Sequence, residues 1–442
     1  MNYKFMKTSL KYILLLFVFA AFYACKDEIG ESSINDYFLN YEIKEIKVSS
    51  DIPVGAYLYN PKGALMDDEE RWTRLTEERV EANGNIGPYV RPALGQYGLD
   101  TDTLGALSLQ RIIDWGNQAA IDFFILPAVN EDRNRIYPKN FSMGDSAFIN
   151  MFQMKNDTLP AVDLKGMKFA LMVNMEGFCS GLGNNDLLEN AAPTNIIETE
   201  LLYPDREYLP GEEPETKVVL DTVVSRIDQL YDYYRRVSDY FSDPNYYHTN
   251  GRPVVIIRNP ERVYTADSKQ LYDAIRQVVK EHTGKEMYLI AQQAQWTPPA
   301  RFHYFHMVGK VDAITVRNMC NVGGGNWERT YILPQMMNEN LKYNREYALT
   351  TYGIDFIPPV STSYNYYPLN ATAYGEPQVP KDPEEFKKYC NVAKMNLGNN
   401  PMVIIDAFNN WETDSAIEPA EEGYGNGYGT LYLDLVRQQF KK

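Results

Sequence analysis

The chain has 442 residues, enough for one large domain or two ordinary ones, and its 44% apolar content is that of a protein with a real core. Its formal net charge of −16 excludes nucleic acid and anionic lipid surfaces as natural partners of the folded body. Aromatics reach 13%, and 34 of them are tyrosine; a ring that also carries a hydroxyl suits sugars, whose C–H faces stack and whose hydroxyls hydrogen-bond.

The first 24 residues are not expected to belong to the fold. Lys4, Lys7 and Lys11 make a basic start, and Tyr12 to Ala24 is apolar but short for a bilayer span. The stretch Phe22-Tyr-Ala-Cys25 resembles the end of a bacterial lipoprotein signal, with Phe22 where Leu is usual. Cys25-Lys-Asp-Glu28 resembles the acidic tag that carries lipoproteins of the Bacteroides group to the outside of the outer membrane. The expectation is a signal peptide over 1–24, lipid attachment at Cys25, a tether over 25–50, and membrane contact through that lipid only. Cys179, Cys320 and Cys390 remain, without a CxxC and odd in number, so they give no disulfide framework and are expected as isolated buried thiols.

From residue 51 onward strands and helices alternate. Val54–Tyr59 is a first strand, and Leu104–Ala120 has helical spacing. Asp122–Leu126 and Met167–Asn174 are the second and third strands. Val218–Phe241 is expected as one long amphipathic helix, and Pro253–Arg258 as the fourth strand. A helix over Ser268–His282 stops at Gly284. Strands five and six are Met287–Ile290 and Val311–Val316, followed by a helix near Pro334–Asn344. Asp355–Val360 is a seventh strand weakened by two prolines, Pro383–Asn396 a proline-opened helix, Met402–Ala407 the eighth strand, and Leu431–Phe440 the last helix. Eight apolar strands separated by helices predict a (β/α)8 TIM barrel over 51–442, an α/β fold whose site is built at the strand carboxyl ends.

No GxxxxGK[ST], HExxH or GxSxG motif occurs. Gly323-Gly-Gly-Asn326 reads as a turn, and His303 and His306 lack a carboxylate in fixed spacing, so neither a metal nor a cofactor is expected. The strand ends collect Tyr57 and Tyr59, then Glu176, then Gln292 and Gln293, then Asn318. Strand seven adds Ser361, Tyr364 and Asn365. Past strand eight come Asn409, Asn410, Trp411, Glu412, Asp414 and Glu418. Amides, hydroxyls and rings dominate this set, with little Lys or Arg, which fits neutral sugar hydroxyls better than phosphates. Glu412 beside Trp411 is expected to face the cleft with a raised pKa, as acid or base, with Glu176 as its partner and Asp414 as a further candidate. Tyr57, Tyr59, Asn318, Tyr364, Asn409, Asn410, Trp411 and Glu418 are expected to hold the sugar.

Several segments together resemble the endo-acting α-mannosidases and mannanases of glycoside hydrolase family 99 and their WbsX-like and family 71 relatives. They are Val54-Gly-Ala-Tyr57, Pro92 to Asp102, Trp115 to Phe124, Asn250-Gly-Arg-Pro253-Val-Val-Ile, and Phe408 to Pro419. The resemblance implies the same barrel and a surface glycosidase trimming a neutral, mannan-type polysaccharide. It also implies a place among other surface proteins of polysaccharide utilisation. The family's strand-eight pattern is roughly Phe-Asn-Glu-Trp-His-Glu-Gly-Thr-Gln-Ile-Glu. Laid on this chain, its two carboxylates fall on Asn410 and Thr413, Glu412 replaces His, Asp414 replaces Gly, and Glu418 is retained. An amide is no general base and a threonine is a poor acid at neutral pH. The alternative is therefore an inactive barrel that binds glycan at the surface.

Overall fold

The computed structural model describes residues 37, 40–61, 65–80, 84–99, 103–128, 149, 152–153, 162–179, 181–183, 185–203, 206, 215–294, 296, 309–322, 331–370 and 377–442. The signal segment, Cys25, most of the tether, His303, His306 and the 323–326 run lie outside the described residues. Two compact units divide the chain, Met1–Glu42 and Ile43–Lys442. In the first, the Tyr37 and Tyr41 rings meet edge to face, 5.5 Å apart. Among the described residues no helix is long and apolar enough to cross a membrane.

The second unit is a parallel barrel. Its staves are β1 (Val54–Tyr57), β2 (Phe123–Pro127), β3 (Lys168–Asn174), β7 (Arg252–Arg258), β8 (Tyr288–Gln293), β9 (Ala313–Val316), β10 (Asp355–Ile357) with β11 (Pro359–Val360), and β12 (Val403–Ile405). Hydrogen bonds join them in the order β10-β9-β8-β7-β3-β2-β1-β12-β11, and the short β6 (His248–Thr249) pairs antiparallel with β7. β10 and β11 are two pieces of the seventh stave, broken at Pro358, which has no N–H to give a ladder. The eight expected strands are thus all present. Runs such as Arg252-Pro-Val-Val-Ile-Ile-Arg258 are buried along their middle because the barrel interior takes one face and the helices the other.

Alternation sorts the side chains. Inward go Tyr57, Phe123, Ile125, Met172, Ile256, Ile290, Ile357 and Ile404, which form one cluster. Outward go Val54, Leu126, Val255, Leu289, Ile314 and Ile405, which meet the helices in a second. The helices are α1 (Glu69–Thr76), α2 (Thr103–Gln118), α3 (Arg226–Ser238), α4 (Ser268–Thr283), α5 (Leu333–Glu346), α6 (Pro383–Met395) and α7 (Leu431–Phe440). Asp267 caps α4 by accepting from the Gln270 N–H at 3.0 Å, and Gly284 ends it at φ 71°.

One expected element is corrected. The helix read over 218–241 begins only at Arg226, and its first third is the strand β5 (Thr216–Val224). β5 pairs antiparallel with β4 (Thr194–Leu201) in a hairpin inserted after β3, with a bulge at Glu198/Thr199. Val218-Val-Leu-Asp-Thr-Val-Val224 is dominated by β-branched residues, and the strand preference outweighs its partial helical period. Residues 43–50, read as tether, are also held to the barrel unit: the Ile46 N–H donates to Asn391 at 2.8 Å, and Lys394 donates to the Ile46 carbonyl at 2.6 Å.

Packing between β1 and β2 uses Gly55, whose absent side chain leaves room for the Phe123 ring; a Cβ there would lie 2.5 Å from that ring. Gly55→Ala should lower stability by about 1–3 kcal/mol through overpacking, read as a shifted denaturation midpoint with an unchanged slope.

Candidate active site at the carboxyl end of the barrel

The floor is set by one bond across the axis. Gln292 at the end of β8 donates through Nε2 to the Tyr57 hydroxyl of β1 at 2.7 Å. These two staves stand opposite each other in the strand order, so the bond spans the barrel. Gln292 is 3% exposed, and its Oε1 has no partner. Ser361 Oγ and Thr315 Oγ1, both buried, are unpartnered as well. Buried polar atoms without partners are costly, and their grouping at one end of the barrel marks a place made for a hydrogen-bonding guest.

Charge surrounds the floor. Burial and then the field of Asp406 push the Tyr57 hydroxyl well above its usual range, while Arg258 and Arg317 pull it back. Asp406 follows β12, Arg258 ends β7 and Arg317 follows β9, and alternation points all three inward. Asn174 at the end of β3 pairs in register with Arg258. Its Oδ1 accepts from Asn259 Nδ2 at 3.0 Å, and Asn259 also donates to Glu176 at 3.1 Å. Glu176 lies in a short helical turn, Met175–Cys179, with Arg262 3.5 Å from its carboxylate. Glu261 stands beside it; burial raises its pKa, with Arg317 and Arg262 opposing and Glu176 adding, and its Oε2 is unpartnered.

The segment after β12 does other work than expected. Trp411 is 1% exposed and offers no face to a sugar; its Nε1 donates to Glu418 Oε2 at 2.5 Å. The expected stacking role is corrected accordingly: the indole is a core group. Glu418 is fully buried and also accepts from Tyr97 at 2.7 Å. Asn409 is spent as a brace, accepting from the Tyr59 N–H at 2.9 Å and donating to the Tyr59 carbonyl at 2.8 Å and the Tyr97 hydroxyl at 3.1 Å. Neither Glu418 nor Asn409 is left with a surface for ligand. Asp414 is held by Lys381 at 3.0 Å, in a cage formed with the rings of Trp411, Tyr428 and Tyr432. It lines a separate cavity of about 910 Å³ beside Tyr428 and Tyr432, away from the floor residues, and reads as structural.

Glu412 is about a quarter exposed, at 24%, and its neighbour is the Arg71 guanidinium at 3.3 Å, where apolar indole burial was expected. Asn410 is half-buried beside it. Asn318 ties its own loop to the connection past β11, accepting from the Cys320 N–H at 2.8 Å and donating to the Ser363 carbonyl at 3.2 Å. Tyr364 stacks on Tyr366 with ring centres 6.4 Å apart, and Tyr59 stacks likewise on Tyr57 at 6.4 Å. Gln293 points the other way from Gln292 and donates to Trp296 and Asn344. The structure thus brings Tyr57, Tyr59, Gln292, Ser361 and Glu176 to the mouth. It adds Asn174, Arg258, Glu261, Arg317 and Asp406, which the sequence reading missed. The lining is consequently not poor in arginine. The available signal was the two-residue period itself, which puts Arg258 two after Ile256 and Asp406 two after Ile404.

This is the architecture of the glycoside hydrolase barrels. Solved structures similar to this chain include a "Glycoside hydrolase-like protein" and an endo-α-mannosidase of family 99. The first has a TM-score of 0.67 at 24% identity, over 92% of this chain and 99% of the other. The mannosidase, from Bacteroides thetaiotaomicron, was solved with BIS-TRIS-propane at TM-score 0.54 and 13% identity, over 88% and 97%. A second structure of that mannosidase gives 0.52 at 14%, over the same shares. A family profile described as Glycosyltransferase WbsX matches residues 212–435, more than half of the chain, and the protein belongs to that family. No curated protein matches its sequence.

Glu418 supplies a pH test. Burial pushes its carboxyl from 4.5 up to about 8, against the bonds from Tyr97 and Trp411. Between those values the folded state keeps a proton that the unfolded state has lost. Stability therefore falls as pH rises through that window and levels off above it. Glu418→Gln removes the titration, so denaturation at a series of pH values should show the variant gaining on the wild type from about pH 5 to 8, by on the order of a few kcal/mol. A gap that stays constant with pH would contradict a neutral buried acid.

Proposed function

We propose that the protein is a glycoside hydrolase displayed at the outer membrane surface by lipid on Cys25, acting on a glycan bound in the barrel mouth. The observation that carries this reading is the convergence of carboxylates from different staves on a floor of hydroxyl and amide groups. Glu176 follows β3, Asp406 ends the β12 side, and Tyr57, Gln292 and Ser361 lie between them. One carboxyl protonates the departing glycosidic oxygen, and the other attacks the anomeric carbon or activates water for it. Glu412, steadied by Arg71, stands farther along the same connection as a third candidate. Mannose-containing chains are the first to try, because a structural neighbour is an endo-α-mannosidase.

A second reading, binding without cleavage, is favoured by Asn410 and Thr413 at the two positions where the family pattern has carboxylates. A transferase, as the family description has it, would use the same carboxylates with a sugar in place of water as acceptor. Incubating the full chain with a panel of mannans and other polysaccharides separates all three. Hydrolysis gives new reducing ends, transfer gives longer chains, and pure binding gives neither. Glu176→Gln and Asp406→Asn should each lower kcat about 10²–10⁴-fold while glycan affinity largely persists; full activity in both would remove this mouth as the site.

The anchor is tested separately. Cys25→Ala should leave the protein unprocessed or released from membranes, and a variant that still takes up labelled fatty acid would contradict lipidation at Cys25.

A further inference from the structure

Asn259 stands where a residue that caps a helical turn would stand, and its side chain is used elsewhere. It precedes the short turn Pro260–Arg262 past β7, with φ 51° and ψ 44°. Asn tolerates that left-handed backbone better than most side chains, which gives a local reason for the residue type. An asparagine in this place ordinarily accepts from the N–H groups of the turn that it opens. This one makes no such bond, and at 8% exposure it is turned into the protein. It reaches across to the exit of β3, the neighbouring stave, where Asn174 pairs in register with Arg258.

The hydrogen bonds at that exit run in one direction. The Glu176 N–H can only donate, and it donates to Asn174 Oδ1 at 3.1 Å. Asn174 thus presents its oxygen to Asn259, which answers with Nδ2 at 3.0 Å. The second proton of the same Nδ2 goes to Glu176 Oε2, at 3.1 Å. The path leaves the Glu176 backbone and returns to the Glu176 carboxylate. Two amides therefore fix the side chain of Glu176 relative to its own backbone.

Two donors reach this carboxylate, and they are unequal. Arg262 Nε lies 3.5 Å from Oε1 on a side chain that is 43% exposed. Water screens such a pair, and a long side chain loses entropy in holding it. Asn259 is short, buried and already held through its other proton by Asn174, so it has little freedom left to lose. The amide rather than the guanidinium sets where the carboxylate points. Direction matters for a glutamate, whose carboxylate can swing about several side-chain torsions. A misplacement of about 1 Å at a reacting group costs on the order of 10²-fold in rate.

We propose that Asn259 is a positioning residue of the active site, holding the Glu176 carboxylate at the exit of β3 in the orientation in which it acts on the glycosidic bond. The inference rests on the hydrolase reading above, in which Glu176 is one of the acting carboxyl groups, and it adds the group that aims it.

The test compares two substitutions that both accept a left-handed backbone, Asn259→Gly and Asn259→Asp. A residue kept for its backbone alone would leave both variants close to the unaltered protein. Glycine removes the donor, and aspartate sets an acceptor against Glu176 Oε2 and Asn174 Oδ1. On a glycan that the full chain hydrolyses, each variant should lower kcat about 10- to 100-fold with KM held within about twofold. Added to Glu176→Gln, Asn259→Gly should lower kcat no further, because no acting carboxylate is left to aim. Unchanged kcat in both variants, a rise in KM alone, or a full additional loss in the double variant would overturn the inference; hydrolysis by the unaltered protein would meanwhile keep the hydrolase reading standing. No product from the unaltered protein on any glycan offered would remove that reading, and the inference with it.

Discussion

The hydrogen bond from Gln292 to Tyr57 divides the barrel into two regions with different chemistry. Below it, Phe123, Ile125, Met172, Ile256, Ile290 and Ile404 fill the interior as a dry core. Above it, the inward positions Asn174, Arg258, Thr315, Ser361 and Asp406 are polar or charged. The bond forms because β1 and β8 stand opposite in the strand order, and beneath it Gly55 yields its space to the Phe123 ring of the neighbouring strand. Packing at the base of the barrel and chemistry at its mouth are therefore one constraint seen at two depths.

The connection after β12 is held from behind. Glu418, Trp411, Tyr97 and Asn409 form a continuous buried network that reaches the backbone of Tyr59, immediately past β1. Closing the ring places β1 beside β12, and this network locks their two exits together. The positions that most resemble a binding motif in sequence thus serve to orient the neighbouring strand end. What the network positions is the Tyr59 backbone, and with it the Tyr59 ring stacked on Tyr57. Lys381 does similar work on the far side of Trp411, its amine paired with Asp414 and its pKa lowered by burial against that pairing.

Much of the architecture was legible because parallel strands buried on both faces must be apolar throughout, as Met167–Asn174 and Pro253–Arg258 are. The hairpin was missed because Val218–Val224 runs directly into a true amphipathic helix and shares part of its period. In the site, the sequence order of polar residues after a strand was a poor guide. It favoured Trp411 and Glu418, which turn back into the core, over Arg258 and Asp406, which alternation alone sends to the axis. Whether a tryptophan stacks on a ligand or on its own protein depends on the path of the loop, and nothing local in Asn410-Trp411-Glu412 encodes that path.

The central claim is that ligand binds above the Tyr57–Gln292 floor. Amide hydrogen exchange of the full chain, with and without the oligosaccharide that it binds, tests this most directly. Added protection is expected at the strand exits, residues 57–60, 174–177, 258–262, 315–318 and 406–412, which lie on separate stretches of chain. Protection confined to the β4–β5 hairpin, or to the cavity beside Tyr428 and Tyr432, with the strand exits unchanged, would contradict it.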